Sequence, residues 1–590
     1  MLTALLLSAT LTSAQTPILP PLIPWNGASR ALVVPANDPW ITPSEVSGLT
    51  TTPRYDETVA YLNRLVKASP QLRMVSLGKS AEGRDVWMVI ASKERAFTPE
   101  ALRKTGKPLV FAQGGIHAGE IDGKDAGLML LRDMTVRGTK RELLDRVNLL
   151  FVPIFNVDGH ERVSQYSRIN QRGPEISGWR TNARNLNLNR DYMKADAEEM
   201  QAMIRALVTW QPDLYVDLHV TDGADYQYDV TYGWNGSAGH SPAIANWLDR
   251  VYRGPVDAHL RAQGHIPGPL IFTDDPLVSV GAGQADPRLS NGYGDARHLP
   301  SILVENHSLK PYDQRVLGTY VFLEQTLRTV GAEAASLRSA IAADRARTPP
   351  SVPLSWKVPA NAPKEEVEVL GVESRLTLSP ISGDVRREWL GRPVMQRAPF
   401  QRATEVATSV KPARAYWVPP AWRDVIAKLD LHGIPYEKIN EPREVDVTMV
   451  RLLEPKFGAA QFEGHVRVTA TEKPERRRER FPAGSVRVTT DHPLGSLATL
   501  LLEPSSPDSL FQWGFFNSIL APTEYVESYI MEPMAAAMLA EDPKLAEEFR
   551  RKIESDADFR GDPRARLQWF YERTPWYDER ARLYPVGREE

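Results

Sequence analysis

The sequence predicts an α/β protein: a mixed, mostly parallel sheet with flanking helices, followed by a β-rich, mixed accessory C-terminal region. Two observations carry this. Between residues 55 and 331, short apolar runs alternate with stretches of helical spacing, the pattern of a sheet covered by helices. At residues 348–353 the run TPPSVP intervenes, and clustered prolines stop helix and strand alike. Beyond it, strand-like segments separated by turns predominate.

Size and composition narrow the classes. A chain of 590 residues holds two to four domains at roughly 150 residues each. Lys+Arg 71 against Asp+Glu 74 leaves a net charge of −3, which gives no support for nucleic-acid binding or a polybasic membrane patch. The 47 prolines exceed the 38 glycines, so connections are stiff. There is no cysteine, which excludes disulfides, thiolate ligands and cysteine nucleophiles. Any metal site must use His, Asp and Glu.

The elements are expected in this order. Residues 1–11 are apolar and are followed by Thr12, Ser13 and Ala14, small residues suited to a signal peptidase, although no Lys or Arg precedes the run. Residues 1–14 read as a signal peptide of an exported protein, periplasmic or extracellular. The run is too short to span a bilayer and nothing later is longer, so no stable membrane insertion is expected. Residues 15–54 form a Pro-rich arm or pro-segment. Residues 55–345 read as one domain, in which helices are expected at 56–68 (Val59, Leu62 and Val66 on one face), 123–134, 195–210, 315–330 and 332–347. Strands are expected at 86–90, 109–112, 149–154, 214–218 and 302–304. Residues 354–590 read as an accessory region of one or two domains. Its strands fall at 367–372, 414–418, 445–453 and 464–469, and its helices at 421–432 and 531–540, where Pro533 is tolerable in a first turn. The arginine-dense run around 476–480 reads as a solvated loop. Phe511, Trp513, Phe515 and Phe516 read as core.

Five features carry chemistry. Gly114 to Glu120 (GGIHAGE) follows a strand and precedes a helix, over the crevice where open α/β sheets bind ligands. His117 and Glu120, three apart, can converge on one ion, though H-x-x-E alone is weak. Asp217-Leu218-His219 ends a strand; a lone His there is usually structural, but with the first pair it completes two His and one Glu, a catalytic zinc set with a free position for water. Asp217 faces the same side as His219 and could orient its ring. Asn156 to Gly159 is a turn after a strand. Arg180, Arg184 and Arg190 sit among amide side chains between 179 and 191; arginine suits carboxylate recognition and a developing oxyanion, and a polar surface loop is the ordinary alternative. Glu305 ends a short buried strand, where a carboxylate of raised pKa serves as a base or joins a structural ion pair.

In this order, the five features resemble the carboxypeptidase A family of zinc metallopeptidases. That family's pattern is H-x-x-E, N-P-D-G, an Arg shortly before D-x-N-R-N, a third His at a strand end, and a Glu in a strand before the last helix. The resemblance covers residues 55–331. It implies one Zn2+ per chain held by His117, Glu120 and His219, with Glu305 as general base and Arg180 on the scissile carbonyl. Asn189 and Arg190 would grip the substrate's terminal carboxylate. Three departures stand out: Val157 replaces the family's Pro, Asn187 its Asp, and Asp191 its following Asn. Asp191 beside Arg190 could weaken or tune carboxylate binding. The family's mobile Tyr is placed at Tyr293, flanked by Gly292 and Gly294, and His307 is a further candidate to line the site.

The expected function is therefore an exported zinc metallocarboxypeptidase acting on a peptide or peptide-like substrate with a free carboxylate. The alternative is a zinc amidohydrolase acting on acyl-amino acids or cell-wall peptides. A non-enzymatic binding protein is disfavoured, because all four central residues are present. Side-chain preference would be set between Tyr232 and Tyr293, where Gln284, Asp286 and Arg288 differ too much in charge to indicate one. Oligomeric state is not read from the sequence.

Overall fold

The first sheet is built from β1 (Leu72–Lys79), β2 (Asp85–Ala91), β3 (Leu109–Gly114), β4 (Asn148–Val152), β5 (Leu214–Val220), β6 (Val230–Gly233) and β7 (Pro267–Pro269). After β8 (Val280–Ala282), which pairs elsewhere, β9 (Ser301–Asn306) completes it. The strand order is β1-β2-β4-β3-β5-β9-β6-β7. β4, β3, β5 and β9 run parallel, β1 and β2 pair antiparallel with their neighbours, and β6 is antiparallel to β9 and parallel to β7. β3, β4 and β5 are buried along their whole length, which requires cover on both faces and explains their largely apolar character. The computed structural model describes residues 18–271, 273, 277, 280–521 and 524–590. The expected signal peptide, residues 1–14, lies outside the described residues.

Helices supply the cover. Every residue of the helix Asp122–Met134 is buried, and Tyr312–Ala332 is buried over most of its length. Gly127 lets the first of these lie directly on β4: a Cβ there would fall 2.0 Å from Phe151 Cζ. The helices expected at 56–68, 123–134, 195–210, 315–330 and 332–347 are present as Tyr55–Ala68, Asp122–Met134, Glu198–Trp210, Tyr312–Ala332 and Ala334–Arg345. β1, β6, β7 and β8 were not expected. β1 is only partly buried and β7 is the tripeptide Pro-Gly-Pro, so neither shows an apolar run.

The chain divides into two units, the first reaching Pro412 and adding Ala427–Pro435 and Thr490–Leu501. The expected border at 354 is therefore displaced. The prolines end a helix, but the chain returns to the first unit. β10 (Val352–Lys357) pairs with β13 (Glu405–Val410), while the long hairpin of β11 (Glu365–Leu378) and β12 (Val385–Arg402) joins β8 through a parallel pairing of β12. The N-terminal arm also belongs here: Glu45 is buried in an ion pair with buried Arg132, and Trp25 Nε1 donates to the Gly264 carbonyl at 2.8 Å.

The second unit holds a six-stranded sheet, β15-β18-β14-β19-β16-β17, made of β14 (Ala415–Val418), β15 (Glu437–Lys438), β16 (Arg443–Phe457), β17 (Val468–Phe481), β18 (Val486–Thr489) and β19 (Leu583–Glu589). All its pairings are antiparallel. The arginine run is strand, not loop. It lies within β17 opposite β16, and Arg478 is 3.0 Å from Glu444 and 3.4 Å from Asp446, so cross-strand charge pairs offset its low strand preference. Phe511, Trp513 and Phe516 are buried, as expected of core. No helix among the described residues is long and apolar enough to cross a membrane.

Candidate metal centre and active site

Adjacent strands of the first sheet deliver the central residues. His117 and Glu120 follow β3, Asn156 to Gly159 follows β4, His219 lies in β5, and Glu305 in β9. In the β5–β9 register His219 pairs with Glu305 and Asp217 with Leu303. Parallel register alone thus sets a ligand candidate beside a base candidate, at the carboxyl edge where such sheets bind.

His117, Glu120 and His219 are buried, and one ligand atom from each lies within 4.8 Å of the others. His117 Nδ1 is 3.0 Å from Glu120 Oε1, and His219 Nδ1 is 3.0 Å from Glu120 Oε2. The opposite ring nitrogens have their own partners: His219 Nε2 is 2.7 Å from Asp217 Oδ2, and His117 Nε2 is 2.9 Å from Asn187 Oδ1. With the proton on each Nε2, facing Asp217 and Asn187, each Nδ1 would turn a lone pair inward. That arrangement would set two lone pairs and a carboxylate around one point, which suits a cation. Two imidazoles and a carboxylate, with one side open to a cavity, are the donor set of a catalytic zinc site. Without an ion the same crowding draws a proton: burial pushes His219 down, but Asp217 and Glu120 hold its pKa well above the usual range.

The anchors differ between the rings. Asp217 is fixed by Gln113, whose Nε2 donates to Asp217 Oδ1 at 2.9 Å and lies 3.2 Å from the Tyr192 hydroxyl. Asn187, standing where the family pattern has Asp, supplies a neutral acceptor to His117. Glu120 is the most heavily held group: Oε1 also meets Arg168 Nη1 at 3.1 Å and Arg180 Nη1 at 3.2 Å, and Oε2 accepts from the Val220 amide at 3.1 Å. Burial raises its pKa, yet His117 and Arg168 bring it well below the usual range.

Glu305 faces the same cavity. Its Oε2 has no hydrogen-bond partner among the described residues. Burial pushes its pKa up to about 8, opposed by His219 and reinforced by Glu120. Arg180, Asn189 and Arg190 also line the cavity. Arg190 Nη1 donates to the Asn189 carbonyl at 2.7 Å, and Asn189 Oδ1 accepts from the Ser290 amide at 3.0 Å. Asp191 does not compete for Arg190: it is buried against Lys194 and accepts from the amides of Asp196 and Ala197. Val157 opens a short helix capped by Asn156 Oδ1, which accepts from the Gly159 amide at 3.0 Å, so the turn forms without the family's Pro.

Two expected residues are not brought to the site. Tyr293 is buried on the helix Ser290–Ala296, its hydroxyl 2.7 Å from His432 Nδ1 and 2.8 Å from Arg297 Nη1, and it does not line the cavity. Its flanking glycines serve close packing instead of motion: a Cβ at Gly294 would lie 1.9 Å from Ser301 Oγ. His307 is also buried, 3.1 Å from Asp225, and burial pushes its pKa down to about 4. Gln284 and Asp286 line the cavity, whereas Arg288 does not and pairs with Asp286 at 2.5 Å.

Sequence reading missed Arg168, which lies in a loop without a motif. One signal for it was Gly119 inside H-x-G-E: a Cβ there would fall 2.6 Å from Arg168 Cγ. It also missed Leu19 and Pro20 of the N-terminal arm, which line the cavity. Arg172 Nη2 donates to the Pro20 carbonyl at 2.6 Å.

The site is a buried His-Glu-His group able to hold a metal ion, at the carboxyl edge of a mixed sheet. Comparison with known proteins is more specific. Residues 58–266 match the family model for zinc carboxypeptidases, Peptidase_M14. Carboxypeptidase 2 of Trichophyton rubrum is 23% identical over 500 residues, 79% of this chain and 84% of that protein. Carboxypeptidase D of Rattus norvegicus is 28% identical over 185 residues, 30% of this chain and 12% of that protein. Among solved structures, a putative carboxypeptidase A from Shewanella denitrificans OS-217 has a TM-score of 0.37 at 20% identity, covering 48% of this chain and 71% of that one. Carboxypeptidase A from Helicoverpa armigera has a TM-score of 0.36 at 20% identity, covering 50% and 75%. Residues 58–266 thus carry a zinc carboxypeptidase domain.

Proposed function

We propose that this protein is an exported metallocarboxypeptidase that releases the C-terminal residue of peptides, with one zinc ion held by His117, Glu120 and His219. The observation that carries the reading is the convergence of two buried imidazole Nδ1 atoms on one carboxylate, beside Glu305, whose Oε2 has no hydrogen-bond partner among the described residues. Zinc at such a site makes water acidic enough to attack at neutral pH and polarises the carbonyl. Glu305 takes the proton from the attacking water and passes it to the leaving amine. Arg180, beside Glu120 and half-open to the cavity, holds the developing oxyanion. Arg190, with Asn189, anchors the substrate carboxylate, so the chain must end one residue past the scissile bond. Asp217 and Asn187 hold the two rings in the ligating tautomer. Export rests on the apolar segment 1–11 and the small residues after it. It predicts a mature amino terminus near residue 15 by N-terminal sequencing.

The test is hydrolysis of blocked dipeptides and of the same compounds amidated at the carboxyl end. The free acids are cleaved and the amides are not. Arg190→Ala raises KM for the acids on the order of 10²-fold with a smaller effect on kcat, as expected for an anchor that acts before the transition state. Equal cleavage of acids and amides would contradict the exopeptidase reading. Cleavage of acyl-amino acids but of no peptide would give the site to the amidohydrolase alternative.

A further inference from the structure

The cavity around the site has a volume of about 1800 Å³. That exceeds the 300–1,000 Å³ of ordinary small-molecule pockets and is far more than one terminal residue and its carboxylate need. Part of the excess is walled by the β11–β12 hairpin. From its outer half, Leu376, Val385, Arg387 and Trp389 line the cavity. The register explains why they act together. Leu376 pairs with Arg387 and Ser374 with Trp389, and directly paired residues share one face of a ribbon. The Arg387 guanidinium stands 5.3 Å from the centre of the Trp389 ring. Leu376 is 56% and Val385 60% exposed, so the wall is apolar, aromatic and uncovered. It is also continuous with the catalytic cavity, since Glu305 and Trp389 line the same space.

We propose that this hairpin face binds the part of a peptide substrate upstream of the scissile bond, favouring apolar side chains several residues before the C-terminus. The inference rests on the exopeptidase reading. Where the carboxylate is anchored at Arg190, the substrate has no length beyond the released residue, so what fills the remaining volume lies on the amino side. Binding energy from residues remote from the reacting bond then raises kcat/KM for long substrates over short ones. Aromatic and apolar contacts that a bound peptide withdraws from water are the usual source of such energy.

The test is a ladder of N-acetylated peptides, two to six residues long, with a common C-terminal pair and apolar upstream residues. The proposal expects kcat/KM to climb by about tenfold or more along the ladder. Two variants should flatten the climb, chiefly through KM, while cleaving the shortest substrate at the unaltered rate. One is Trp389→Ala. The other replaces residues 378–385 by Asn-Gly, closing a two-residue turn on the Thr377–Arg386 pair. Met395→Ala should keep the climb, because Met395 is exposed and does not line the cavity. A ladder that is flat in the unaltered protein, or a climb kept by both variants, overturns the proposal while leaving the exopeptidase reading intact. A flat ladder with a shift from dimer to monomer on trimming assigns the face to a second copy of the chain and overturns it too. No cleavage at any length, the shortest included, overturns the exopeptidase reading and this proposal with it.

Discussion

Glu305 and His219 are neighbours through strand register, and most of the site's electrostatics follows from that. A carboxyl without a partner, pushed up to about 8 in the metal-free protein, stays protonated when folded but ionises near 4.5 when unfolded. The unfolded state then binds fewer protons than the folded state between those values, so metal-free stability falls as pH rises from about 4.5 to 8. Glu305→Gln removes this dependence: thermal unfolding of metal-free protein should show the variant melting higher than the unaltered chain at pH 9 and close to it at pH 5. A dication bound among His117, Glu120 and His219 lowers the Glu305 pKa. Because the proposed base would work ionised, the acid limb of kcat/KM in zinc-loaded protein should lie below pH 8, with activity rising as pH rises through it. Asp217 gives a second residue-scale expectation. Asp217→Asn should weaken zinc binding by about 10- to 100-fold in a chelator competition, whereas Asn187→Asp, which restores a carboxylate behind His117, should tighten it. Unchanged affinity in both would show that these anchors do not tune the centre.

At the scale of elements, what was legible in the sequence depended on burial. β3, β4 and β5 are covered on both faces, so their apolar runs stood out, and the chemistry at their carboxyl ends could be read with them. β1, β6, β7 and β8 are short or half-covered and carry no such run. The β16–β17 ribbon was misread at its arginines because its pairing is written in opposite charges across strands, which one strand's sequence does not display. Tyr293 was misplaced because glycines that permit close packing look the same in sequence as glycines that permit motion. Gly127 belongs to this scale as well. Its absent side chain lets the helix Asp122–Met134 rest on β4, and Gly127→Ala should cost about 1–3 kcal/mol by overpacking, measurable as a lower denaturant midpoint with an unchanged slope. No loss would mean that Phe151 yields freely and that the helix is not held by that contact.

At the scale of the molecule, the boundary moved because the long hairpin and its neighbours pair back onto the first unit, a long-range event that the prolines near 350 do not reveal. The first unit therefore contains the candidate metal centre, the proposed carboxylate anchor and the hairpin wall, and it continues well beyond residues 58–266, where the family match lies. Glu305 itself falls outside that match. The proposed zinc would link the parts of this unit thermodynamically: an ion that binds only the folded site raises stability by about 4 kcal/mol at 1,000 times its Kd, so chelation should lower the melting temperature, and Glu120→Gln should abolish that difference.

The most direct test of the account is mass spectrometry of a mixed peptide pool exposed to the unaltered protein, to the protein with a zinc chelator, and to Glu305→Gln loaded with zinc. The account predicts loss of single residues from carboxyl ends by the unaltered protein alone. The chelated sample should be inert, and the variant should be slower by about 10²- to 10⁴-fold while binding zinc normally. Internal cleavage, or full activity in the variant, would contradict it.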